Sequence, residues 1–123
     1  SPMSFARPLA VLAAIAAVAA LAPAAVADSP TATASKSCSV GNSRDYGTTY
    51  VLSISVTNTS CRAGKSLIRA FHACRPGKSG RCGRVSGYSC SESRYDKIRT
   101  QYSSRVRCTK GGKVVSHRYT QFT

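Results

Sequence analysis

His72 and His117 are the side chains of this sequence that titrate near neutral pH, so any acid–base chemistry would have to be built on them. Two imidazoles converging on one phosphate, one as base and one as acid, with a lysine nearby, would cleave RNA. The spacing argues against it. His117 alternates with Val115 and Tyr119 along a strand-like run, the position of a core-edge residue. His72 falls at the flank of a basic helix face, where a solvated side chain is expected. The pattern allows the two histidines to meet without requiring it, they are expected not to form such an acid–base pair, and a histidine-dependent nuclease is the weakest of three functional readings.

Other reaction centres find less support. There is no G-x-S-x-G elbow for a serine nucleophile. Asp45, Glu92 and Asp96 are spaced neither as a catalytic pair nor as a metal cage, and are expected to pair with surface arginines. Gly64-Lys65-Ser66 and Gly77-Lys78-Ser79 imitate the end of a phosphate loop, but Thr59 and His72 stand where its first glycine must be. Asn58-Thr59-Ser60 reads as turn and helix-cap chemistry rather than a glycosylation acceptor. No metal or other cofactor is expected.

The basic residues carry the strongest signal. The formal net charge is +14, from 18 lysines and arginines against 4 acidic residues. Arg62, Lys65 and Arg69 should share one helix face, and Arg75, Lys78, Arg81 and Arg84 should surround a loop. Arg105, Arg107 and Arg118 should share the outer face of a hairpin. Arg62, Lys65, Arg69, Arg105, Arg107 and Arg118 are the candidate anion-binding set. The 12 arginines outnumber the 6 lysines, which suits bidentate contacts to phosphate or carboxylate. No sequence-reading motif for nucleic acid is present, so contacts to such a polymer would be to its backbone and salt-sensitive.

The elements that must position these residues follow from periodicity. Thr48 to Val56 alternates as a half-buried strand with Tyr50, Leu52, Ile54 and Val56 on one face. After Asn58-Thr59-Ser60 the period changes to 3.6, and Gly64, Leu67, Ile68, Phe71 and Cys74 form one apolar stripe of a helix. Pro76-Gly77 should end it. Arg84 to Cys90 reads as a short strand, Ser91 to Gln101 as a polar, flexible crossing. Tyr102 to Thr109 and Val114 to Phe122 flank Gly111-Gly112, a hairpin in which Cys108 faces Val115, Val106 faces His117 and Arg105 faces Arg118. The expected fold is α+β, with one helix on a small, mostly antiparallel sheet in the order β-α-β-β-β.

Residues 1–27 have the pattern of a secretory signal peptide: Arg7, the apolar run Leu9 to Leu21, Pro23 and the small-x-small site Ala25-Val26-Ala27. Residues 28–44 are expected to be a flexible leader and 45–123 one small domain. Removing residues 1–27 takes away Arg7 alone among the charges, one fewer than +14, leaving +13. No transmembrane segment is expected in the mature form. The 6 cysteines of an exported chain predict three disulfides. The topology above suggests Cys61 with Cys90, Cys74 with Cys82 and Cys38 with Cys108.

The segments TSCRAGKSLIRAF, GYSC and RVRCTKGGKVVSHRYTQF resemble a class of small secreted cysteine-containing domains of high-GC Gram-positive bacteria (Actinobacteria). That resemblance implies the same fold and export; it implies no chemistry. The sequence thus argues for a secreted, basic binding module, expected to be monomeric, acting on an anionic polymer or surface at the cell envelope without sequence-specific nucleic-acid recognition. The alternative is a protein-directed inhibitor or toxin-like effector that presents the Cys74 to Cys82 loop.

Overall fold

The computed structural model describes residues 34–123; the expected signal peptide and the first part of the leader lie outside the described residues. The chain runs through β1 (Lys36–Cys38), β2 (Tyr50–Thr57), α1 (Cys61–Cys74), β3 (Arg84–Val85), β4 (Tyr88–Ile98), β5 (Gln101–Lys110) and β6 (Lys113–Phe122). The strands form one six-stranded sheet in the order β1-β2-β6-β5-β4-β3, and every neighbouring pair is antiparallel. The α+β class and the disulfide-stabilised helix on an antiparallel sheet are as expected, with two more strands than the sequence suggested.

Helix α1 starts at Ser60, whose side chain accepts from the Ala63 amide at 3.0 Å. It buries Gly64, Leu67, Ile68, Phe71 and His72 against the sheet, while Cys74 stays exposed. His72 lies one turn after Ile68 and joins the buried stripe in place of Cys74. The core is completed by Val51, Ile54 and Val56 of β2, Val106 and Cys108 of β5, and Val115 and Tyr119 of β6. Gly64 is where helix and sheet come closest: a β-carbon there would lie 2.6 Å from Val56 Cγ1.

Three expectations are corrected here. In β2 the register shifts between Val51 and Ser53, so Leu52 is an extra residue at a bulge. The alternation therefore changes phase: Val51, Ile54 and Val56 point to the core, and Leu52 is 46% exposed. The leader is not wholly outside the fold, because Lys36–Cys38 pairs with Val56–Ile54 as an edge strand. Tyr46, in the turn that follows, is buried, with its hydroxyl donating to the Val40 carbonyl at 2.7 Å. The supposed crossing after Cys90 is the long strand β4, entered by a tight turn at Ser86-Gly87, both with positive φ, as a two-residue hairpin of the primed kind requires.

The same strand directions rearrange the disulfides. Cys74 bonds to Cys82 as expected, but Cys38 bonds to Cys61 and Cys90 to Cys108, in place of Cys38 with Cys108 and Cys61 with Cys90. Antiparallel pairing of β1 with β2 carries Cys38 opposite Ile54, near the end from which the chain enters α1 at Cys61. Antiparallel pairing of β4 with β5 sets Cys90 directly across from Cys108.

Gly64→Ala should overfill the contact with Val56 and lower stability by about 1–3 kcal/mol without changing the fold. Urea denaturation with the disulfides intact reads this as a lower midpoint at an unchanged slope. An unchanged midpoint would mean that the helix can lift off the sheet at no cost.

Candidate anion-binding face

Helix α1 covers one face of the sheet, and β periodicity decides what the other face displays. Cross-strand register gives four successive rungs on that open face. The first is Ser37, Ser55, Ser116, Arg107 and Ser91, and the second is Ser53, Arg118, Arg105 and Ser93. Next come Tyr50, Thr120, Ser103 and Tyr95, then Phe122, Gln101 and Ile98. A cleft of about 440 Å³ lies over the first two rungs, lined by Arg105, Arg107 and Arg118 with Ser37, Ser53, Ser55 and Ser116.

The arginines here are exposed and have no carboxylate partner, since the ion pair between Arg94 and Glu92 is the one ion pair among the described residues. Arg105 and Arg118 face each other across β5 and β6, as the hairpin register required. Tyr95 mediates between them: the Arg105 guanidinium stacks 4.3 Å from its ring centroid, and Arg118 Nη1 donates to its hydroxyl at 3.4 Å. Arg118 Nε also donates to Ser53 Oγ at 3.2 Å. The site is thus a preset array of guanidinium forks and hydroxyls with no counter-charge built in.

The helix-side face holds a buried polar network. Arg75, just past the end of α1, is 7% exposed. Its Nε donates to His72 Nδ1 at 3.1 Å and its Nη2 to Gln121 Oε1 at 2.6 Å. Its Nη1 donates to the Lys78 carbonyl at 3.0 Å and to the Tyr102 hydroxyl at 3.1 Å. Glu92 of β4 accepts from Arg94 Nε at 2.9 Å, and from Ser104 and Tyr119, each at 2.7 Å. Burial pushes the Glu92 carboxyl up, but those hydrogen bonds and the Arg94 charge outweigh it and hold the group below its usual range. Burial also raises the Tyr119 phenol, reinforced by its hydrogen bonds to Tyr102 and Glu92.

The histidines do meet, as the pattern allowed but did not require. His72 Nε2 and His117 Nε2 are 2.9 Å apart, packed among Phe71 and Tyr119. Their protons are dictated by Arg75. Because Arg75 donates to His72 Nδ1, the single proton of His72 is on Nε2, which donates to His117 Nε2. His117 then carries its proton on Nδ1, the one buried side-chain polar atom among the described residues without a partner. Desolvation is the main reason both imidazoles titrate far below 6.5; Arg75 lowers both, the His117 ring lowers His72 further, and Glu92 partly opposes the shift at His117. A neutral, enclosed pair with one proton already committed between its rings serves packing, not phosphoryl chemistry.

The six candidate anion-binding residues are divided between the two sides of the sheet. Arg105, Arg107 and Arg118 come together in the cleft. Arg62, Lys65 and Arg69 lie on the outer side of α1, where Arg69 Nε is engaged by the Asp45 carbonyl at 3.0 Å and its guanidinium lies over Tyr46. Sequence reasoning missed the serine rungs of β1, β2 and β4; it set Arg75 around the loop after the helix and left Arg94 within the polar, flexible crossing. Alternation of serines with Val51, Ile54 and Val56 was the available signal for the first; nothing local announces that Arg75 is buried. Among the described residues there is no cluster fit to hold a metal, and no helix is long and apolar enough to cross a membrane.

Comparison with known proteins returned no match, whether to a family model, a curated protein or a solved structure. The resemblance to small secreted domains therefore stands on its sequence segments alone.

The histidine pair makes stability depend on pH. Above 6.5, the ordinary histidine value, both imidazoles are neutral folded or unfolded and the fold keeps its full stability. As pH falls below 6.5 the unfolded chain takes up two protons that the fold refuses, so stability is lost at a rate approaching about 1.4 kcal/mol per pH unit per histidine. Glu92, depressed in the fold, adds its own loss below its ordinary 4.5. The urea midpoint should already drop between about pH 7 and about pH 5. A midpoint flat over that range and falling only in stronger acid would assign the whole effect to Glu92 and refute neutral buried histidines.

Proposed function

We propose that this chain is a secreted, disulfide-stabilised binding module that holds an anionic polymer or surface at the cell envelope on the open face of its sheet, and that it acts as a monomer without a catalytic centre. The observation that carries this reading is the convergence of Arg105, Arg107 and Arg118 over one serine-lined cleft with no carboxylate to neutralise them. Like charges directly opposite on a sheet destabilise it. An anion seated between Arg105 and Arg118 removes that cost, so the free protein is poised to gain from binding one. Guanidinium forks accept phosphate or carboxylate in two-point contacts, and the serine hydroxyls add donors that rotate to suit. A nucleic acid on this face would be held through its phosphate backbone, the part that matches an array of uncompensated cations. Export is supported by the residue 1–27 pattern and by three disulfides, which persist in oxidising compartments.

One observation favours the protein-directed alternative. The loop closed by Cys74 and Cys82 is held from beneath through its carbonyls: Arg94 donates to those of Ser79 and Gly80 at 2.8 Å each, and Tyr102 to that of Lys78 at 2.6 Å. The side chains of Lys78, Ser79 and Arg81 are left exposed on a rigid frame, which reduces the ordering cost of docking into a partner.

Replacing Arg105, Arg107 and Arg118 together with glutamine should weaken binding to heparin or polyphosphate by more than about tenfold near physiological salt, and should flatten the salt dependence by roughly two to three contacts. The charge-matched replacement of Arg62, Lys65 and Arg69 should cost markedly less. Equal losses, measured by titration across a salt series, would mean that net charge rather than the cleft is responsible.

A further inference from the structure

We propose that the anionic surface held by this face is that of a phospholipid bilayer, with Ile98 and Phe122 entering the headgroup–acyl boundary while the arginine rungs take the lipid phosphates. The inference rests on the anion-binding reading above and names its partner. Leu52, Ile98 and Phe122 are the exposed large hydrophobic residues among the described residues, at 46%, 64% and 46%. Two of them mark one end of the sheet. Ile98 and Phe122 share the last rung of the open face through Gln101, and Leu52 stands at the bulge beside the Arg118 rung. Tyr50 packs edge-on against Phe122 with ring centroids 5.2 Å apart, extending the same apolar end.

This end of the sheet is also a tip of the fold. The β4–β5 turn at Arg99 and Thr100 lies there, with Lys97 exposed beside Ile98. Four residues of β6 separate Phe122 from Arg118, roughly 13 Å at the rise of a strand. A sheet that meets a membrane tip-first therefore puts its apolar end below the phosphates and its arginines among them. Each cation near an anionic leaflet adds about 1 kcal/mol of attraction, and buried apolar surface supplies the part that salt does not screen. No spanning helix is needed.

A single-stranded nucleic acid is the competing occupant, and the chemistry of the patch disfavours it. Base stacking needs free aromatic faces. Leu52 and Ile98 have none, Tyr95 is already covered by Arg105 at 4.3 Å and Tyr50 by Arg44 at 4.7 Å, which leaves Phe122 as a single exposed ring where a track of stacked bases needs several. Aliphatic side chains exposed beside uncompensated arginines match a surface that is charged above and greasy below.

The test uses the disulfide-bonded protein with vesicles of phosphatidylglycerol mixed with phosphatidylcholine, vesicles of phosphatidylcholine alone, and soluble polyuridylic acid and heparin. Wild type should co-sediment with the anionic vesicles and not with the neutral ones. Replacing Ile98 and Phe122 together with serine should weaken vesicle binding by at least about tenfold and leave heparin binding unchanged. Because the chain has no tryptophan, Phe122→Trp provides a single reporter whose emission should shift to the blue on adding anionic vesicles and not on adding heparin. Vesicle binding unaffected by the serine replacements, no blue shift, or tighter binding to polyuridylic acid than to vesicles would overturn the bilayer inference while leaving the anion-binding reading standing. If the Arg105, Arg107 and Arg118 replacement binds heparin and vesicles as wild type does, the open-face reading itself fails.

Discussion

A single buried guanidinium organises the helix-side half of this molecule. Arg75 connects the end of α1, the Cys74–Cys82 loop, β5 and β6 through His72, the Lys78 and Gly80 carbonyls, Tyr102 and Gln121, and lies 4.8 Å over the Tyr119 ring. Burying a cation is costly unless its donors are used, and here Nε and both terminal nitrogens are. The nearest negative charge in the network, Glu92, reaches it only across Tyr119, whose hydroxyl is held by the carboxylate and whose ring lies under the guanidinium. Arg75 also decides what the histidines can be. A permanent positive charge on His72 Nδ1 forbids protonation there, and the shared proton between the rings forbids it on the facing nitrogens, so the fold holds two neutral imidazoles where a nuclease would need one of each form.

The sheet separates this network from the open face by the simplest available means. Along β5 and β6, residues alternate between a buried set, Ser104, Val106, Cys108, Val115, His117 and Tyr119, and an outward set, Arg105, Arg107, Ser116 and Arg118. The same two strands thus carry the core and the cleft, and a one-residue slip would exchange them. Register is fixed where it matters most: the Cys90–Cys108 bridge locks β4 to β5, and the helix contact through Gly64 locks Val56 and Val115 beneath α1.

Much of this was legible in residue order. The helix with its cap within Asn58-Thr59-Ser60, the Gly111-Gly112 hairpin and the opposition of Arg105 to Arg118 follow from periods of 3.6 and 2 and from turn chemistry. What was not legible has physical causes. A bulge changes the phase of a strand without changing its composition, so Val51 and Leu52 exchanged their expected sides. Strand β4 was hidden because its inward residues include Glu92 and Arg94, which neutralise each other and leave no hydrophobic alternation. Misreading β4 as a crossing then misplaced Cys90 and Cys108, and treating Lys36–Cys38 as leader misplaced Cys38. Arg75 reads as surface charge because burial of a cation depends on partners 27 and 46 residues away, Tyr102 and Gln121.

Charge alone would attract any polyanion to either side of the protein, so the distinction between the two basic faces rests on preorganisation. On α1 the ligand must order Arg62 and Lys65, and Arg69 must first leave the Asp45 carbonyl and the Tyr46 ring. On the sheet the ordering is done beforehand for two of three arginines, by Tyr95 and Ser53, and the repulsion between Arg105 and Arg118 is already present in the free protein. An anion that binds the sheet therefore meets cations whose side-chain entropy is partly spent and whose mutual repulsion it relieves, whereas on the helix it must supply both the ordering and the exchange of partners. This difference, rather than the number of charges, is what singles out the open face as the proposed site.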